Sequence, residues 1–268
     1  MGAAFGVGFV VGPALAGVLG GFNPRLPFWF AAGLALVNWL FGLFVLPESL
    51  PKERRAAFSW KKANPVGSLQ LLAARPGMLG MAAVFFLYML AHQALQQIFV
   101  LFTGYRFGWG IRDVGLFLGA TGIASIVVQM LLVRPVVKAV GERGAMLIGL
   151  FCGVLGFAAY ALAPNGFLFW CSLPIFALMG LVQPTSQALM SRRVPGNEQG
   201  RLQGAMSGIQ SITGLVGPSL YTTVFAWAIT GGKGLGLPGL GILLAAGLVG
   251  MALVLAVRYA KPMAASAG

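Results

Sequence analysis

The stretch YMLAHQALQQ places Tyr88, His92 and Gln96 four residues apart, with Gln93 and Gln97 on the adjoining face. On a helix of about 3.6 residues per turn, those five side chains make one polar strip. His92 is the only histidine in the chain. An imidazole whose ordinary pKa is near 6.5 exchanges a proton close to neutral pH. The strip could therefore carry protons and hydrogen-bond a polar ligand. The plainer reading is a neutral imidazole and amides bonded to neighbouring helices. Asn38, Gln129, Gln187 and Gln210 are single polar residues in other apolar runs that could face the same space. No metal set is present in the sequence: Cys152 and Cys171 lack a CxxC spacing or a histidine at ligand distance, and they read as buried free thiols.

What surrounds the strip decides its meaning. The chain is 58% hydrophobic and 9% charged, with a mean hydropathy of +0.87. Those values lie outside the range of soluble domains. Crossing about 30 Å of hydrocarbon takes about 20 apolar residues. Eight stretches meet that length, near 3–21, 26–46, 77–103, 112–133, 144–163, 166–188, 203–230 and 237–257. The expected fold is therefore an all-α integral membrane protein. Glu48, Glu53, Asp113, Glu142 and Glu198 all fall in loops or at span ends. The strong polar groups left at membrane depth are the amides and His92, and such groups are functional by default.

The net charge of +13 is sorted by side. Lys52, Arg54, Arg55, Lys61, Lys62, Arg75, Arg134, Lys138, Arg143, Arg192, Arg193, Arg201, Arg258 and Lys261, fourteen of the eighteen bases, lie in alternate loops and the tail. The opposite loops hold Arg25, Arg106, Arg112 and Lys233. This asymmetry puts the first set, and both chain ends, on the cytoplasmic side. It also argues against nucleic acid, because the bases are dispersed and no binding motif accompanies them. The expected layout is two helices over 1–46, a basic cytoplasmic connector over 47–76, a six-helix bundle over 77–261 and a tail over 262–268. Within the connector, Asn64 and Pro65 are suited to start a short helix. No basic leader or cleavage site precedes the first span.

Glycine and proline supply the remaining pattern. The run GVGFVVGPALAGVLGG from Gly6 to Gly21 contains six glycines and Pro13. In water such residues weaken a helix, but in lipid the backbone has no partner except itself, and glycine lets helices approach closely. Gly8, Gly12, Ala16 and Gly20 form one smooth stripe. Gly204, Gly208, Ser211, Gly214 and Gly217 form another, ending at Pro218. The two Gly-Pro pairs look like equivalents in two repeated halves, as in transporters built from repeats.

These residues resemble the tetracycline-efflux branch of the major facilitator superfamily, whose members are drug/proton antiporters of twelve helices. GVGFVVGPALAG, with Gly8, Gly12, Pro13 and Gly17, resembles the antiporter signature of the family's fifth helix, with Ala16 where glycine is usual. GERGAMLIG resembles the cytoplasmic gate loop before the ninth helix and carries Gly141, Glu142 and Arg143. SQALMSRR, EQGRLQGAMS and the GP at Gly217 and Pro218 resemble the tenth and eleventh helices.

The resemblance implies a major-facilitator-like bundle holding family helices five to twelve, two from the first half and six from the second. Read with the polar residues at membrane depth, it points to a substrate and proton pathway through Tyr88, His92, Gln93, Gln96, Gln97, Gln129, Gln187 and Asn38, of which Gln93, Gln129 and Gln187 match the family. The implied activity is alternating-access export of a drug-like small molecule, driven by protons, from a bacterial inner membrane. The intact protein would be a monomer working without a cofactor. Two positions depart from the family. Its eighth helix usually carries a histidine and its ninth an aspartate, where this chain has Ser125 and Gly153. His92 stands where the family usually has a small residue. Tetracycline and a related amphipathic compound both remain open as substrate. A truncated, transport-inactive fragment is the alternative reading. HExxH, GxSxG and phosphate-loop motifs are absent from the sequence, which argues against an enzyme.

Overall fold

The structure, a computed structural model, describes residues 25–46, 77–232 and 236–260, with isolated positions at 8, 11, 12, 15, 19, 20, 22, 23, 72, 75 and 234. The chain divides into two compact units, Met1–Ala57 and Phe58–Gly268. The predicted connector helix at Asn64 and the signature residues Pro13 and Gly17 lie outside the described residues. In the first unit, α1 (Leu26–Phe44) carries Pro27 in its opening turn, where the missing N–H has no intrahelical partner to lose.

The second unit starts with α2 (Met78–Phe107) and α3 (Ile111–Val127). A π-helical turn over Val128–Leu132 leads into α4 (Val133–Leu162). The turn has a local cause: Pro135 offers no N–H to the Leu131 carbonyl and crowds it. The chain responds with a wider turn in which the Val133 N–H reaches back to the Val128 carbonyl. Within α4, Gly141 has φ +74° and ψ 169° and bends the helix sharply, a conformation open to glycine at little cost.

Next come α5 (Gly166–Cys171), α6 (Leu173–Ala177), a tight 3-10 turn over Leu178–Leu181 and α7 (Val182–Ser191). Asn165 caps α5 by accepting the Leu168 N–H at 2.9 Å. A second 3-10 turn, Gly196–Glu198, opens α8 (Gln199–Ile229), and α9 (Leu240–Tyr259) closes the bundle. Among the described residues there is no strand.

Six stretches among the described residues are long and apolar enough to cross a membrane: Leu26–Phe44, Met78–Phe107, Arg112–Leu162, Gly166–Ser191, Gly196–Ile229 and Leu240–Tyr259. This differs from the eight expected, for two reasons. The predicted span 3–21 falls largely on residues that are not described. The predicted spans 112–133 and 144–163 run together as one helical stretch of 51 residues. At about 1.5 Å per residue, that stretch is more than twice as long as the hydrocarbon is thick, and it turns at Gly141.

The axis of the second unit is α2. Half of its apolar window is buried, a larger share than in the other five stretches. It packs against α8 and α9, and α9 in turn packs on α4. Hydroxyls inside the spans mostly return to their own backbone: Thr103 donates to the Phe99 carbonyl at 2.9 Å and Thr185 to the Leu181 carbonyl at 2.6 Å.

Candidate functional site

Tyr88 and His92 stand one turn apart on α2 with their rings stacked, centroids 6.2 Å apart and planes at 22°. Tyr88 is buried and His92 half-buried. Both line a cavity of ≈ 90 Å³, across which stand Thr121 and Ser125 of α3 and Met179 and Gly180 of the 3-10 turn. That volume suits a few ordered waters, whereas pockets for drug-sized ligands run to about 300–1,000 Å³. Thr121 donates its hydroxyl to the Phe117 carbonyl at 2.8 Å. No lining residue of the cavity is charged.

The predicted polar strip divides in the structure. Tyr88 and His92 reach the cavity, whereas Gln96 is exposed. Gln97 donates to the Gln93 side-chain oxygen at 3.5 Å. Gln93 packs into α8 at Gly217, where an added Cβ would lie 2.7 Å from the Gln93 Cβ. Gly217 thus serves the close approach of α2 and α8, and it sits one residue before Pro218. Gln129 lies in the π turn and donates to the Gly180 carbonyl at 3.5 Å. Gln187 is half-buried on α7, and Gln210 is exposed on α8. Asn38 belongs to α1 of the first unit.

Thr121, Met179 and Gly180 are cavity residues that the sequence reading missed. The available signal was the proline pair around the 3-10 turn, Pro174 and Pro184, which marks an irregular segment. Ser125, the position where the resemblance expects a histidine, lines the same cavity as His92. Gly153, where it expects an aspartate, is tightly packed: a Cβ there would lie 3.0 Å from Met179 Sδ and 3.3 Å from Val249 Cγ1.

A second polar group gathers at the end of the bundle where α2 begins. Glu142 pairs with Arg192 at 2.6 Å, and Arg143 donates to the Val257 carbonyl at 2.9 Å. With Gly141 they border an open cavity of ≈ 620 Å³. Nearby, Glu198 pairs with Arg75 at 2.7 Å and Arg201 at 3.2 Å. Arg193 donates to the carbonyls of Gly77 and Tyr259 at 3.4 and 3.0 Å, and burial lowers its guanidinium pKa. The starts of α2 and α8 and the ends of α7 and α9 are thereby tied together.

A multi-pass helical bundle with a small, mostly apolar cavity beside a lone histidine midway along α2, and charges kept to its ends, has the build of a membrane transporter. The family model of the Major Facilitator Superfamily matches residues 1–218, and the chain belongs to that superfamily. It is 34% identical over 238 residues to the class C tetracycline resistance protein of Escherichia coli, covering 88% of this chain and 59% of that one. It is 28% identical over 229 residues to the human Hippocampus abundant transcript 1 protein, covering 83% of this chain and 47% of that one. Among solved structures, the human organic anion transporter MFSD10 (TETRAN) superposes with a TM-score of 0.80 at 22% identity, over 95% of this chain and 62% of that one. The chain thus spans about half to three fifths of the length of the curated relatives it matches.

Proposed function

We propose that this chain forms the larger part of a proton-coupled exporter of a drug-like small molecule, working by alternating access in a bacterial inner membrane. Two helices over 1–46 and a six-helix bundle over 77–261, joined by a basic connector, give eight spans with both ends cytoplasmic. The intact protein acts as a monomer, without cofactor or enzymatic chemistry. His92 carries the coupling proton. The observation behind this assignment is the stack of His92 on Tyr88 at an uncharged cavity that also includes Ser125. An imidazole there is the one lining group whose ordinary pKa lies near neutrality. Similarity to tetracycline resistance proteins supports the substrate class.

The test is uptake of a fluorescent tetracycline analogue into everted vesicles, which is export in the cell's sense, at several pH values. His92→Ala and His92→Gln should abolish or flatten the pH dependence, and an unchanged profile removes His92 from proton coupling. A second reading, a transport-inactive fragment, is favoured by the 59% coverage of the class C relative. Absence of export by the 268-residue chain, with export restored when the missing length of a relative is fused to it, would decide for the fragment.

A further inference from the structure

Pro184 lies in α7, and the residue four before it is Gly180. Gly180 lies in the 3-10 turn before α7; α-helical geometry continued back over it would direct the N–H of residue 184 at the Gly180 carbonyl, and proline has none to give, which leaves the Gln183 N–H as the nearest backbone donor. Within a bilayer, a backbone group freed in this way has to find another partner, which neighbouring helices commonly provide. Here the donor is Gln129, whose Nε2 stands 3.5 Å from the Gly180 oxygen.

The two irregular turns meet at this point. Val128 Cγ1 is 3.4 Å from the place a Gly180 Cβ would occupy, an ordinary contact distance, so the two turns lie against each other here. The word G-L-V-x-P occurs twice in the chain, at 180–184 and 214–218. At the second occurrence a glutamine again stands by, with Gln93 Nε2 3.6 Å from the Cβ position of Gly214.

We infer that Gln129 is a positioning residue: its amide clasps the carbonyl that Pro184 strips of a donor, and so fixes Met179 and Gly180 as a wall of the His92 cavity. The effect on transport rests on the proposed function. The clasp itself does not.

The test is a double-substitution cycle on the full chain in detergent, read by thermal unfolding. Q129L should lower the midpoint by about 2–4 °C. Q129N, one methylene shorter, should do the same. In a P184A background the restored N–H serves Gly180, and Q129L should then have no effect. Equal losses in both backgrounds overturn the clasp. Should P184A fail to fold, hydrogen exchange over 178–187 decides: faster exchange in Q129L supports the clasp, and unchanged exchange overturns it. Neither readout requires transport. If export is absent while the cycle behaves as expected, the proposed function falls and the clasp stands.

Discussion

The two ends of the second unit are closed by different chemistry. Where α2 finishes, Phe99, Phe102, Phe107, Trp109, Phe117 and Tyr160 surround Phe169, with ring centroids 4.3 to 6.2 Å from its own. Where α2 begins, closure depends on Glu198 with Arg75 and Arg201, on Glu142 with Arg192, and on arginines donating to helix-end carbonyls. Interlocked rings gain from dispersion and close packing, and water has nothing to offer in exchange. Ion pairs between half-exposed side chains can be traded for water at little net cost. The ring-packed end is therefore expected to be the rigid one and the ionic end the soft one.

The sharpest way to break this contrast is to remove a ring. Phe169 is fully buried. Phe169→Ala leaves a void among six aromatic neighbours and should destabilise the protein by about 3–5 kcal/mol. Unfolding in detergent followed by tryptophan fluorescence would measure this, since Trp109 and Trp170 lie in or beside the cluster. A variant as stable as the parent would remove the contrast between the two ends.

Glu198→Gln is the counterpart at the ionic end. The carboxylate serves two guanidiniums, and the side chains of Glu198 and Arg75 are 27% and 32% exposed. Water screens part of the loss, so the expected destabilisation is about 1 kcal/mol. Raising the salt concentration should narrow the gap between parent and variant, because screening weakens the pair that only the parent has. A loss as large as that of Phe169→Ala would make the two ends equivalent.

Much of this architecture is legible in the sequence because the bilayer allows few solutions. Apolar runs of span length, bases in alternate loops and carboxylates at span ends all follow from the cost of charge in hydrocarbon. The expected runs 26–46, 77–103 and 237–257 correspond to α1, α2 and α9. Legibility stops where one backbone angle or one neighbour decides. Nothing local distinguishes Gly141, bent at φ +74°, from Gly144, which lies within the helix. Pro135 and Pro184 announce irregular turns, but not that Gln129 would reach across to Gly180. The helical spacing that grouped Gln96 with Tyr88 and His92 is correct along α2. Spacing along one helix does not say which of its residues a neighbour covers, and Gln96 is exposed and outside the cavity lining. Gly153 reads as a lost aspartate until Met179 and Val249 are seen to fill its side-chain space.

The smallest expected effect tests the softness of the ionic end most directly. Arg192 pairs with Glu142 at 2.6 Å, yet its side chain is 73% exposed against 15% for Glu142. A guanidinium so open to water is held weakly and replaced readily by solvent cations, so Arg192→Gln should change stability by less than about 1 kcal/mol. The pair closes one side of the open cavity beside Gly141, and that is where its loss should register. Labelling of a cysteine introduced at Leu189, a residue lining that cavity, should speed up in Arg192→Gln while the unfolding midpoint barely moves. Slow labelling with unchanged stability would show that the pair is surface decoration. A large drop in stability would show instead that the ionic end bears structural weight, and the distinction between a soft end and a rigid one would then have to be drawn elsewhere.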